Sequence, residues 1–136
     1  MRALVEEAGL GAAVEIDSAG THDYEIGDPP DERAIAAARR RGLDISHQRA
    51  RRVGRDDFAR FDLILALDRG HRSILRHMAP PGLGDRVRLL MEFTPGAPPD
   101  VPDPFYGDAG DFDAVRDLIE RGVAGLLDWL VAEGAV

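Results

Sequence analysis

Phe61-Asp62-Leu63-Ile64-Leu65-Ala66-Leu67-Asp68 is the stretch whose reading decides the fold. From Leu63 to Leu67 the apolar residues follow one another with no polar alternation. A strand with one wet face alternates, so an unbroken run predicts a strand covered on both faces, as in a parallel sheet. The run ends at Asp68, and a helical pattern follows from about Arg69 to His77. A strand passing directly into a helix is the repeating unit of an α/β layer fold.

Working outward in both directions gives more of the same alternation. Downstream, Pro80-Pro81-Gly82 breaks the chain, and Val87 to Phe93 predicts another strand. Asp111 is then placed to cap a long final helix. Phe112, Val115, Leu118, Ile119, Val123, Leu126, Leu127 and Leu130 form a stripe at helical spacing, which reads as core. Upstream, Arg55 to Arg60 predicts a helical turn, and Leu43 to Gly54 a loop carrying His47 and Gln48. Before it, Asp28-Pro29-Pro30 predicts a helix start with Asp28 as cap, running to Arg39-Arg40-Arg41 with Gly42 as its stop. Ala12 to Asp17 predicts a short strand ending at Ser18-Ala19-Gly20-Thr21. The first ten residues read as the end of a helix, with Leu4, Val5 and Ala8 on its apolar face and Gly9 as its stop. No capping residue precedes that helix. A parallel sheet of this kind binds ligands at the carboxyl ends of its strands, where Ser18, Asp68 and the loop around Asp103 are expected.

Composition narrows the function. The 136 residues suit one domain, and 44% apolar with 31% charged residues reads as a globular protein. A net charge of −8 argues against nucleic acid as partner, because phosphate backbones are bound through basic surface. The one basic cluster is Arg49, Arg51, Arg52 and Arg55, with Arg39 to Arg41 upstream. It reads as a solvated face or as a rim that attracts an anion. No stretch has the length of a membrane span or the zones of a signal peptide, so the expectation is no membrane partner and a cytoplasmic location. There is no cysteine, which removes disulfides, thiolate metal sites and any cysteine nucleophile from these residues. Four scattered histidines offer no metal-ligand spacing, so no metal is expected.

Chemistry concentrates in Val101-Pro102-Asp103-Pro104-Phe105-Tyr106-Gly107. Prolines on either side of Asp103 limit its backbone, and two aromatic rings follow. One reading is a Pro-rich turn in which Asp103 hydrogen-bonds its own backbone. The other is an acid held on a rigid loop, suited to protonating a leaving group in a partly dry cleft.

Four stretches together resemble the low molecular weight protein tyrosine phosphatase family. They are Ile16-Asp17-Ser18-Ala19-Gly20-Thr21, Gly27 to Ala34 with Pro30-Asp31-Glu32-Arg33, Phe61 to Asp68, and Asp103 to Gly107. The resemblance covers the whole chain as a single domain, 1–136. It implies a three-layer α/β fold with a small parallel sheet flanked by helices, four strands in the family. It also implies a hydrolase of phosphotyrosine in proteins or of small aryl phosphates, acting through a phosphocysteine intermediate without metal or organic cofactor. By resemblance Asp103 is the general acid, and Tyr24, Phe105 and Tyr106 wall the slot for the substrate ring. Ser18 is similar to a serine that braces the phosphate loop, and Asp68 takes a supporting role.

Departures from the family pattern matter as well. The family's cysteine and arginine lie in a loop after its first strand, and this chain starts inside the helix that follows. The family's loop histidine falls here on Gln48, beside His47. The expectation is a domain incomplete at its N-terminus by roughly 20 residues, one strand and its loop. Such a chain is expected to be catalytically incompetent and to self-associate through exposed strand edges. A non-catalytic phosphotyrosine- or protein-binding module is the alternative on the same cleft. Arsenate reduction on the same fold would need cysteines that are absent.

Overall fold

The apolar run lies where its composition puts it, between two layers of helix. In the computed structural model, which describes residues 1–21, 27–102 and 109–134, its middle forms β1 (Ile64–Ala66). β1 pairs in parallel with β2 (Val87–Leu89), with Ile64 opposite Val87, Leu65 opposite Arg88 and Ala66 opposite Leu89. Alternate residues of the run serve different cores. Ile64 and Ala66 pack with Val53, Phe58, Leu75, Val87 and Leu89. Leu63 and Leu65 pack with Leu90, Met91, Phe93, Val101, Val123 and Leu126. Two buried faces on one strand are the reason that no polar residue interrupts it.

Around this pair the described elements run α1 (Arg2–Glu7), α2 (Glu32–Arg39), α3 (Arg55–Arg60), then β1, α4 (Arg69–Met78), β2 and α5 (Ala109–Ala132). Single 3-10 turns lie at Gly84–Arg86 and Leu90–Phe93. α4 covers the first core and α5 the second. α5 comes unusually close to the 90–93 turn because two glycines notch its surface. A Cβ on Gly122 would stand 2.7 Å from the Met91 sulfur, and one on Gly125 would stand 2.6 Å from the Phe93 carbonyl oxygen. The Thr94 hydroxyl closes the seam by donating to the Arg121 carbonyl at 3.1 Å. An α/β arrangement with a small parallel sheet between helices is thus observed.

Several boundaries differ from the sequence reading, each for a local reason. Ala12 to Asp17 forms no strand. A strand exists by its ladder, and among the described residues the only pairing near it is an isolated parallel bridge between Gly20 and Arg52. The second helix starts at Glu32, with Asp31 rather than Asp28 as its cap, and the Arg33 amide donates to the Asp31 carboxylate at 2.8 Å. Asp28 instead uses its carbonyl to accept from the Ala50 amide. The strand expected over Val87 to Phe93 stops at Leu89. There the Glu92 carboxylate folds back to accept from the Leu89 amide at 2.7 Å, which winds the next residues into a turn. The last helix begins at Ala109, so Asp111 lies in its first turn and is not its cap.

Other expected elements are observed. α1 has no side-chain cap, and it ends at Gly9 with φ +73°, a left-handed conformation that suits glycine. Arg55–Arg60 is helical and α4 starts directly after Asp68. The stripe on α5 is core, with Phe112, Val123 and Leu126 buried. Among the described residues no helix is long and apolar enough to cross a membrane.

Candidate functional site at the carboxyl end of β1

Asp68 follows β1 by two residues and is extended, with φ −146° and ψ 170°. That conformation turns its side chain back onto α4. Its Oδ1 accepts from the His71 amide at 2.7 Å and lies 2.9 Å from the His71 Nδ1. The carboxylate therefore caps the helix and orients an imidazole in the same act. Asp68 thus stands at the strand end, where the sequence reading placed it.

The stem of the Asp103 loop is built against the same strand end. The Val101 amide donates to the Leu67 carbonyl at 2.8 Å, and the Val101 side chain is buried in the second core. One residue earlier, Asp100 Oδ1 accepts from the Arg69 amide at 2.9 Å, at the first residue of α4. The Arg69 guanidinium completes the contact, with Nη2 3.0 Å and Nε 3.2 Å from Oδ2. Hydrogen bonds from the Arg69 side chain, then from its amide, hold the Asp100 carboxyl below the usual carboxylate range. α4 thus begins between two aspartates, Asp68 and Asp100, where its dipole favours negative charge.

Ser18 belongs to a second network. Its amide donates to Asp17 Oδ1 at 2.8 Å, and its hydroxyl has no hydrogen-bond partner among the described residues. Asp17 Oδ2 accepts from Arg51 Nε at 3.2 Å. Arg51 also grips Asp57 in a two-pronged pair, Nη1 to Oδ2 and Nη2 to Oδ1, both at 3.0 Å. Asp57 in turn accepts from the Gly54 amide at 2.7 Å. The Arg51 fork, foremost, holds the Asp57 carboxyl below its ordinary range, and the Asp57 hydrogen bond raises Arg51. Backbone bonds from Gly20 to the Arg51 carbonyl and from Val53 to the Gly20 carbonyl, both 2.8 Å, fasten the two segments together. No hydrogen bond or ion pair joins this network to Asp68 among the described residues.

Asp103, Phe105 and Tyr106 lie outside the described residues, as does Tyr24. What the structure supplies for them is framing. On the near side stand Asp100 and Val101. On the far side the start of α5 is strapped to α2. The Arg33 guanidinium lies over the Phe112 ring at 4.6 Å, Arg40 pairs with Asp113 at 2.6 Å, and Arg116 Nη1 donates to the Ala37 carbonyl at 2.8 Å.

Sequence reasoning missed Arg69, Asp100 and the Asp17–Arg51–Asp57 chain. For Asp100 the available signal was an acid just before the Pro102-Asp103-Pro104 turn. The basic cluster is partly structural, since Arg51 is matched by two carboxylates and Arg49 donates to the Ser46 and Gln48 carbonyls. An open groove of about 630 Å³ lies elsewhere, beside α5, lined by residues that include Phe93, Pro95, Asp128 and Trp129. It holds none of the predicted site residues.

The family model of the low molecular weight phosphotyrosine protein phosphatases matches residues 1–136. A low molecular weight protein-tyrosine-phosphatase of Streptomyces coelicolor is 42% identical over 130 residues, 93% of this chain and 79% of the relative. Low molecular weight protein-tyrosine phosphatase A of Mycobacterium tuberculosis is 42% identical over 125 residues, 90% of this chain and 74% of the relative. A crystal structure of a protein tyrosine phosphatase from Entamoeba histolytica, with Hepes in its active site, superposes with a TM-score of 0.91 at 28% identity. It covers 99% of this chain and 86% of the other.

Proposed function

We propose, from the premise that this chain belongs to the low molecular weight phosphotyrosine protein phosphatase family, that its cleft handles phosphate monoesters of phenols and that Asp103 protonates the departing phenolate. The observation that carries this reading is the family match over all 136 residues, the Asp103-Pro104-Phe105-Tyr106-Gly107 loop included. The relatives are named as protein-tyrosine phosphatases, so the family is one of hydrolases.

In the chemistry proposed, a thiolate sulfur attacks phosphorus and the bond from phosphorus to the phenolic oxygen breaks. The electron pair goes to that oxygen, which takes the proton of Asp103. Water then cleaves the sulfur–phosphorus bond and frees phosphate. Tyr24, Phe105 and Tyr106 would flank the phenyl ring, which suits phosphotyrosine in a protein or a small aryl phosphate. Ser18 would brace the anion-binding loop, and Asp68 would hold the start of α4. The Asp100–Arg69 and Val101–Leu67 contacts support the acid's role, because they anchor the chain two residues before Asp103.

The thiolate is not among these residues, since the sequence holds no cysteine. Loss of a nucleophile costs as much as about 10⁶-fold in rate where it has been measured in a hydrolase. The 136 residues by themselves are therefore proposed not to turn over. Hydrolysis of an aryl phosphate by the purified chain is the test, with no release of phenol above background as the expected result. Turnover that vanishes in Asp103→Asn would overturn the inactivity and keep the acid. Saturable phosphotyrosine binding without turnover would recast the cleft as a binding module.

A further inference from the structure

Resting on that reading of Asp103, we propose that Asp100 and Arg69 are positioning residues for the proton donor, clamping the stem of its loop to the carboxyl end of β1. Three donors of one residue converge on the Asp100 carboxylate: the amide of Arg69 at 2.9 Å, its Nη2 at 3.0 Å and its Nε at 3.2 Å. The amide lies at the first residue of α4, so the helix dipole attracts the same carboxylate. The neighbouring Val101 amide donates to the Leu67 carbonyl at 2.8 Å. Residues 100 and 101 are thereby tied to residues 67 and 69 through backbone and side chain together.

The pair is exposed, Arg69 by 63% and Asp100 by 40% of their side chains. Exposed ion pairs add little to global stability. A global stabilising role does not explain why the backbone amide and the fork of one residue both meet one carboxylate. A local role does. Pro102 follows Val101 and Pro104 follows Asp103 in the sequence, and proline narrows the conformations open to the residue before it. Only Pro102 separates Val101 from Asp103 in the sequence, so a clamp on Val101 acts one residue from the donor. General-acid catalysis tolerates small errors of position poorly, which gives such a clamp a chemical consequence. Arg72 adds attraction from the next turn of α4, and Asp68 makes its contacts to His71 instead.

The test needs no turnover. Amide hydrogen exchange and carboxyl carbon NMR are recorded on the full 136-residue chain, with the Asp103 signal assigned through Asp103→Asn. In Asp100→Asn the Val101 amide is expected to lose protection by about tenfold. The Asp103 titration midpoint is expected to move by about half a pH unit or more. The Asp57 midpoint, which belongs to the other network, should stay in place. Arg69→Lys, which keeps the charge and the amide donor, should keep most of the Val101 protection and leave the Asp103 midpoint close to that of the parent chain. Unchanged Val101 protection in Asp100→Asn overturns the clamp. Lost protection with an unmoved Asp103 midpoint overturns the positioning role and leaves a merely structural pair. Should Asp100→Asn lose cooperative unfolding, the same two readouts on Arg69→Gln decide the matter. The aryl phosphate assay tests the donor reading separately, so the two failures are distinguishable.

Discussion

Residues before and after Gly54 are held together by different physics. Of the sixteen buried apolar residues among those described, twelve lie from Phe58 onward, and only Val5, Ala37, Ala38 and Val53 lie before. The later part is a packed object, with two cores on the two faces of β1. The earlier part gives fewer buried residues to those cores and is tied largely by polar contacts. Arg51 bridges Asp17 and Asp57, Arg60 reaches Glu15, Arg2 donates to the Ile16 carbonyl, and Arg40 and Arg41 reach across to α5. Packing responds only weakly to pH and to moderate salt, whereas ion pairs are titrated and screened. The comparison predicts that solution conditions loosen the Ser18 side of the molecule first and the Asp68 side last.

The largest effect expected from a single substitution lies in the packed part. Phe58 is fully buried in the first core, and Phe58→Ala should cost about 3–5 kcal/mol in urea unfolding. If Arg51→Ala cost as much, the contrast would be broken. Next comes the notch on α5. Gly125→Ala would push a methyl group against the Phe93 carbonyl, a backbone atom that cannot swing aside, at a cost of about 1–3 kcal/mol read as a lower Tm.

Asp57→Asn sharpens the comparison on the tied side. It removes half of the Arg51 fork, and a charge-assisted contact of this exposure is worth about 1–2 kcal/mol. Exchange of the Gly20 and Val53 amides should quicken while the amides of β1 stay protected. Acid should do the same without mutation. The folded Asp57 carboxyl lies below its unfolded value of about 3.9, so its contribution is complete above that pH. It fades as pH falls through the lowered value. Chemical-shift titration of the Gly20 amide would follow it, and a midpoint above the ordinary carboxylate range would contradict the assignment. The smallest effect belongs to the exposed Arg40–Asp113 pair. Arg40→Ala should change stability by only about 0.2–1 kcal/mol, less at 1 M salt.

What could be read from sequence follows the same division. β1, α4 and α5 were legible because burial writes itself into composition: an unbroken apolar run that ends at Asp68, a helical pattern directly after it, a stripe at helical spacing. Ala12 to Asp17 was not, because a strand depends on a neighbour that its own residues do not encode. The helix start was misplaced because Asp28 and Asp31 are equally good caps by type, and only the geometry of the Arg33 amide chooses between them. The turn after Leu89 depends on one carboxylate folding back, which no periodicity announces. At the site, Asp68 was legible as the residue ending a strand before a helix. Arg69 with Asp100 was not, because an ion pair across 31 residues leaves no local pattern. Asp103, Phe105, Tyr106 and Tyr24 were picked by their likeness to the family's motifs.

Leu63 and Leu65 serve one core while Ile64 and Ala66 serve the other, and that alternation carries an evolutionary constraint. Adding or deleting one codon within this run would exchange the occupants of both interiors at once, because side chains on a strand reverse faces with every residue. Natural variants of this chain should therefore conserve the length of 63–66. Their insertions should gather in the exposed turns near Pro81-Gly82 and Pro95-Gly96.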